Sequence, residues 1–245
     1  MLGYLVGTAA VFGIGAVGYQ SMAPSGQWFG RTFTGLSTDE RTLALTYDDG
    51  PNDPHTLHLL DVLARHDVRA TFFMIGRFVR QRPEIARAVA KAGHAVGNHT
   101  FTHPNLAFQP SVQTRIQIEE CERALTDIVG EHTNLFRPPY GGRRPLSLRM
   151  ARSLGLEPIM WNVIAWDWNA PSVEYIERKV TKGVHGGNVI VMHDGGHRGM
   201  GADRSRTVTA TDRLIARYKA EGYSFVTIPQ MMGKLVPQTA LIRQD

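Results

Sequence analysis

The chain has 245 residues, a formal net charge of +5, and 42% hydrophobic and 20% charged side chains, the balance of a globular protein with ample material for a core. Its modest positive charge fits an anionic partner such as a cell-wall polymer, nucleic acid or a membrane surface, but no stretch interleaves Lys and Arg with aromatics as a nucleic-acid groove does, so nucleic acid is set aside. The lone cysteine, Cys121, excludes an intramolecular disulfide and leaves the redox compartment undecided.

The first charged side chain is Arg31. Leu2–Tyr19, "LGYLVGTAAVFGIGAVGY", is about long enough to cross a bilayer, though rich in glycine. No Lys or Arg opens it, as one would in a secretory signal, and Ser21-Met22-Ala23 imitates a cleavage site that Pro24 disfavours. An uncleaved anchor, a cleaved signal and a buried helix stay open, and with no basic residue before Arg31 the positive-inside rule decides no orientation. "GIGAVG" follows no strand, so dinucleotide binding is rejected. Residues 1–23 are therefore expected to be an anchor or signal, 24–40 a linker, 41–236 one catalytic domain, and 237–245 a tail.

From Arg41 onward strands and helices alternate. The expected order is strand Thr42–Tyr47, helix Pro54–His66, strand Ala70–Ile75, helix Pro83–Ala92 and strand Ala95–Gly97. Helix Ser111–Val129, strand Leu135–Phe136, helix Pro145–Leu154 and strand Pro158–Val163 follow. Helix Val173–Gly183, strand Val189–Met192, helix Thr209–Gly222 and strand Ser224–Ile228 complete it. Glycines in "KAGH", "SLGL" and "AEGY" supply helix stops. This alternation implies a parallel sheet, open or closed.

Polar residues punctuate the strand ends. Asp48 and Asp49 follow the first strand, His99 and His103 the third, Arg137 and Tyr140 the fourth, Asp167 and Trp168 the fifth, and His193 and Asp194 the sixth. In a parallel barrel all these ends open on one face, where active sites sit. Asp49, His99 and His103 can hold one cation, and three N/O ligands leave positions open, the pattern of a catalytic zinc site. Asp48 then remains free as a base toward water activated by the cation. Arg137 can orient Asp48 through a bidentate pair. His193 can act as general acid toward a leaving amine, with Asp167 holding its imidazolium. Trp168 is expected as an aromatic wall against a sugar face, Trp161 and Trp166 as core. His197 is expected to be a solvated loop residue, with substrate contact as its alternative; His94 precedes a strand, and the remaining histidines belong to helices and their ends.

At these residues the sequence resembles the polysaccharide deacetylase family, the NodB-homology or carbohydrate esterase family 4 enzymes, over roughly Arg41 to Pro229. "TYDDGP" (Thr46–Pro51) stands for the family's Thr-Phe-Asp-Asp-Gly-Pro, with Tyr47 in place of Phe. "HTFTH" (His99–His103), "RPPYG" (Arg137–Gly141), "DW" (Asp167–Trp168) and "VMH" (Val191–His193) stand for the other motifs, and Ile164 occupies the place of an upstream Asp in the fourth. The resemblance implies a distorted (β/α) barrel of about seven parallel strands, here preceded by an N-terminal hydrophobic helix. It also implies a divalent metal, commonly Zn2+, on Asp49, His99 and His103, with Asp48 as base, Arg137 its partner, and His193 as acid tuned by Asp167. The backbone N–H of Tyr140 would stabilise an oxyanion, and Val191 would line an acetyl pocket. The expected reaction is hydrolysis of N-acetyl groups on a polysaccharide such as peptidoglycan or chitin, by a membrane-anchored or secreted enzyme acting outside the cytoplasm. An O-acetyl esterase, a small-amide amidohydrolase and a non-catalytic glycan-binding module remain the rival expectations.

Overall fold

The computed structural model describes residues 15–233 of the chain. The anchor expected over Leu2–Tyr19 falls largely outside them, and the C-terminal tail falls outside entirely; residues 15–22 are helical. From Thr42 the chain runs β1 (Thr42–Asp48), α1 (His55–Arg65), β2 (Thr71–Met74), α2 (Gly76–Gln81), α3 (Pro83–Lys91), β3 (Ala95–Asn98), α4 (Ser111–Val129) and β4 (Leu135–Phe136). It continues through α5 (Pro145–Ser153), β5 (Glu157–Pro158), β6 (Val163–Ile164), α6 (Val173–Thr181), β7 (Asn188–His193), α7 (Ser205–Ala220), β8 (Ser224–Phe225) and α8 (Ile228–Gly233).

The strands form a half-barrel in the order β5-β4-β3-β2-β1-β7-β6, with β8 beside β1 and every strand pair parallel. β1 is buried on both faces, which is why it reads as a nearly unbroken apolar run. Leu43, Leu45 and Tyr47 alternate toward the helices, with Phe72, Met74, Ile190 and Met192 beside them and Leu59, Leu63 and Leu214 against them. Ala44, Phe73 and Val189 face the barrel interior with Ile159, Ile228 and Met231. The period of two therefore puts Thr46 and Asp48 on the interior face, and Val191 and His193 likewise. Tyr47, the departure from Phe, is accommodated because its hydroxyl meets Thr211 Oγ1 of α7 at 3.0 Å while its ring stacks on Phe72.

The fold corrects two expected strands. Pro158–Val163 is not one strand: β5 pairs with β4, β6 pairs with β7, and the run between them leaves one neighbour for the other. The strand expected over Ser224–Ile228 stops at Phe225, and α8 begins at Ile228. Short α2 was not anticipated. The segment expected as a linker also touches the barrel. Phe33 exchanges hydrogen bonds with Pro158 O and the Met160 N–H at 3.0 and 2.7 Å, and the Leu36 N–H reaches Gly187 O at 2.9 Å.

Candidate metal and hydrolytic site

Asp48 ends β1 on the interior face and is the ladder partner of His193, which ends β7. Adjacent parallel strands lie about 4.8 Å apart, so this register alone brings the expected base and acid to one rim. Just beyond β1 the chain turns at Asp49, whose φ is 74°. Thr100 and His103 (φ 65° and 66°), Tyr140 (φ 58°) and Trp166 (φ 54°) share this left-handed conformation, rare for residues with a Cβ. Among the described residues only Asp67 is a non-glycine residue with positive φ elsewhere. Backbone strain is thus gathered where the polar residues meet, as at functional sites.

Asp49, His99 and His103 are buried and each offers one ligand atom within 4.8 Å of the others. Asp49 Oδ1 lies 3.1 Å from His103 Nε2 and 3.5 Å from His99 Nε2, yet accepts no hydrogen bond. Burial opposes the charge on Asp49, but the two imidazoles and His193 outweigh it and hold the carboxyl well below the usual range. Burial pushes the His103 imidazole down toward its neutral form. His99 donates from Nδ1 to the Arg137 carbonyl at 2.8 Å, a bond that fixes the tautomer and leaves the Nε2 lone pair facing Asp49. An orphaned buried carboxylate oxygen facing two imidazole nitrogens fits a divalent cation with N/O preference.

Arg137 is fully buried. Its Nη1 donates to Asp48 Oδ1 at 2.7 Å and to Thr46 Oγ1 at 2.8 Å, Nη2 to the Met160 carbonyl at 3.1 Å, and Nε to the Ile159 carbonyl at 3.4 Å. The pair with Asp48 is single, not bidentate as expected, because the barrel's own carbonyls take the other donors. The Phe73 ring lies 4.1 Å from its guanidinium carbon and Trp161 at 5.6 Å.

On the opposite side His193 donates from Nδ1 to Asp167 Oδ1 at 2.8 Å, while Asp167 Oδ2 accepts the His193 backbone N–H and the Thr207 hydroxyl, each at 2.8 Å. Burial alone would lower the His193 pKa; Asp167 reverses this and, with Asp49 and Asp48, lifts it to about 9. Burial likewise opposes ionisation of Asp167, and His193 and Thr207 hold it down. Trp168 meets the His193 ring edge-on at 5.0 Å, and Trp166 leans on Trp168. Trp166 is 45% exposed, so its expected place in the core is corrected: its left-handed backbone turns it outward beside Trp168. Val191 is buried on the interior face beneath His193, paired with Thr46 and Ile164. Tyr140 is half exposed, its ring edge-on to His103 at 4.6 Å. A cavity of about 300 Å³ opens beside Asp167 and Trp168, walled also by Arg204, Arg206 and Thr207; the cation ligands are not part of its wall.

Two further residues belong here, Asp194, which the sequence placed only at a strand end, and His197. Asp194 is buried under the Asp49–Gly50 turn; its Oδ2 accepts the Thr56 hydroxyl at 2.5 Å, and burial pushes its pKa up to about 7. The His-Asp doublet after β7 was its only signal. His197, expected in solvent, stacks on His103.

Residues 35–159 match the family model described as "Polysaccharide deacetylase". A chitooligosaccharide deacetylase of Azorhizobium caulinodans is 32% identical over 201 residues, covering 79% of this chain and 96% of that protein. The peptidoglycan-N-acetylglucosamine deacetylase PgdA of Listeria monocytogenes is 34% identical over 79% of this chain, which spans only 39% of that relative's length. The solved Bc1960 peptidoglycan N-acetylglucosamine deacetylase superposes with a TM-score of 0.77 at 34% identity, over 82% of this chain and 92% of that one.

Proposed function

We infer that this chain, which belongs to the polysaccharide deacetylase family, is a metal-dependent hydrolase that removes N-acetyl groups from the sugars of a polysaccharide, peptidoglycan or a chitin-like polymer. One observation carries the reading. Asp48 and His193, strand neighbours in register, flank a buried Asp49–His99–His103 cluster whose carboxylate oxygen has no hydrogen-bond partner.

A divalent cation, Zn2+ by the donor set, would be held by Asp49, His99 and His103 and would supply Lewis-acid polarisation and a lowered water pKa, toward about 7. Asp48, held by Arg137, takes a proton from the attacking water. His193, kept protonated by Asp167, donates a proton to the departing amine. Water thus adds to the acetamide carbon, the C–N bond breaks, and acetate and a free amine result. The backbone N–H of Tyr140 serves the oxyanion, Val191 borders the acetyl methyl, and Trp168 packs against the sugar. A positioned acid or base and an oxyanion donor each contribute about 10²–10⁴-fold.

We place the enzyme outside the cytoplasm, anchored by the uncharged run at the N-terminus or secreted after its cleavage. No helix among the described residues is long and apolar enough to cross a membrane. The test is mass spectrometry of N-acetylglucosamine oligomers and peptidoglycan fragments incubated with zinc-loaded protein. Loss of one acetyl mass per site supports the reading. Intact glycans, or cleavage confined to acetyl esters, removes it.

A further inference from the structure

Of the three cation ligands, His99 alone has its orientation fixed by a hydrogen bond, to the Arg137 carbonyl. Asp49 Oδ1 and His103 Nδ1 are both buried without a hydrogen-bond partner. Besides His99, one described side chain touches both of these unsupported ligands. The His197 ring stacks nearly parallel on His103, 4.8 Å between centroids and 16° between planes, and its Nδ1 lies 3.9 Å from Asp49 Oδ2. Tyr140 closes the wall edge-on to both rings at 4.6 and 5.3 Å.

The loop that carries His197 is built to hold it there. Arg204 Nε donates to the Gly195 carbonyl at 2.7 Å. Asn52, in the turn after the paired aspartates, accepts the Gly201 N–H and donates to the Ala202 carbonyl, each at 2.8 Å. Arg77 Nη2 donates to the His197 carbonyl itself. At Gly195 the loop backbone presses on the site: a Cβ there would lie 2.1 Å from the Asp49 carbonyl oxygen, so only glycine allows the approach.

We propose that His197 is a positioning residue for the cation site, holding the outer oxygen of Asp49 and the face of His103 so that both ligands stay aimed inward. This rests on the metal reading given above. The 3.9 Å contact is about one ångström longer than a direct N–H···O bond; it acts as a charge–dipole attraction or through one bridging water. Outer partners of metal ligands change affinity about 10–100-fold when removed, and here one residue supports two ligands.

The experiment measures the Zn2+ dissociation constant of the full chain by competition with a chromophoric chelator at fixed pH. It compares wild type, His197→Ala and His197→Gln, with the melting temperature of each metal-free protein recorded alongside. The expected result is a loss of about 10–100-fold for His197→Ala, a smaller loss for His197→Gln, which keeps an N–H donor, and unchanged metal-free melting. Arg77→Met frees the loop carbonyl without touching the ring and is expected to lie between wild type and His197→Ala. An unchanged constant for His197→Ala, or equal losses for Ala and Gln, overturns the proposal while leaving the metal reading standing. Wild type that takes up no Zn2+ overturns both, and Asp49→Ala shows which constant corresponds to an ablated site.

Discussion

Arg137 links the stability of the interior face to the chemistry proposed for Asp48. Burial works against its charge, and Asp48 is the one carboxylate that supports it. Removing one partner of such a buried pair strands the other, a loss of about 3–5 kcal/mol. Arg137→Met should therefore lower the unfolding free energy measured in urea by that amount, and a value equal to wild type would show that Asp48 finds solvent instead. Asp48→Asn keeps the shape and one acceptor while removing the proposed base, so acetate release should fall about 10²–10⁴-fold while Zn2+ is still expected to bind through the proposed ligands Asp49, His99 and His103. Loss of Zn2+ together with activity would instead make Asp48 a ligand. His193 carries the pH dependence. Its folded pKa, about 9, lies above the ordinary 6.5, so its contribution to stability is whole below 6.5 and is lost as pH rises through about 9. Asp167 is depressed, so its contribution is present above the ordinary carboxylate range and is lost only as pH falls through its lowered value. Asp167→Asn should flatten stability between about pH 6.5 and 9 and move the alkaline limb of activity to lower pH, because the acid loses its proton sooner. A cation in the site offsets Asp48 and Asp49 but leaves the Asp167 pair in place; an alkaline limb that stays put would remove His193 as the acid.

At the scale of elements, the rim is made by register. β1 and β7 pair over six rungs from Leu43–Asn188 to Asp48–His193, and the alternation that buries Leu43, Leu45 and Tyr47 toward the helices places Asp48 inward. That much was legible in the sequence, because a doubly buried strand followed by charged residues has few other readings. The split of Pro158–Val163 was not: an apolar run records that it is buried, not which neighbour it pairs with. The switch is made by Asn162, whose Oδ1 accepts the Val189 N–H at 2.8 Å while its own N–H donates to Val189 O at 3.2 Å. β3 depends on a comparable local choice. A Cβ at Gly97 would lie 2.9 Å from the Phe73 ring and 3.0 Å from the Leu135 carbonyl oxygen, and Phe73 is the surface on which the Arg137 guanidinium rests. Gly97→Ala should therefore destabilise by about 1–3 kcal/mol through overpacking and also slow acetate release, since a displaced Phe73 ring disturbs the Arg137 guanidinium lying on it. Urea midpoints and initial rates measured on the same preparation check this; a stable but slow variant would mean the ring moved, and a variant like wild type in both would show that the strand gives way instead.

Over the whole molecule, what escaped the sequence is contact between segments far apart in the chain. Five short motifs each announced a strand end, and their convergence could be read because a parallel barrel has one such face. Nothing local announced that His197 returns to His103, or that residues 21–36 lie against the barrel, since neither contact has a period or a composition. Arg143 is the clearest mark of the second. It is fully buried with no carboxylate among its contacts, and its guanidinium donates to the carbonyls of Gly141, Ala23 and Gly26 at 2.9, 2.6 and 2.6 Å, while its N–H takes Ser21 O at 2.9 Å. The next ring of contacts is Phe33 against Ile159, beside the Met160 carbonyl that Arg137 uses. A chain beginning at Ser37 would lose the Ala23 and Gly26 acceptors and leave those donors buried or poorly hydrated, at about 1–3 kcal/mol each. For a domain of this size that is a fall on the order of 10 °C in melting temperature relative to a chain beginning at Gly15. Arg143→Met in the longer chain removes the charge and its donors together, leaving only the accepting carbonyls without that partner, so it should cost less than the truncation. If both chains melt together, residues 15–36 are a tether and nothing more; if the shorter one melts early and also loses activity, the strip that reads as a linker is part of the wall behind Arg137.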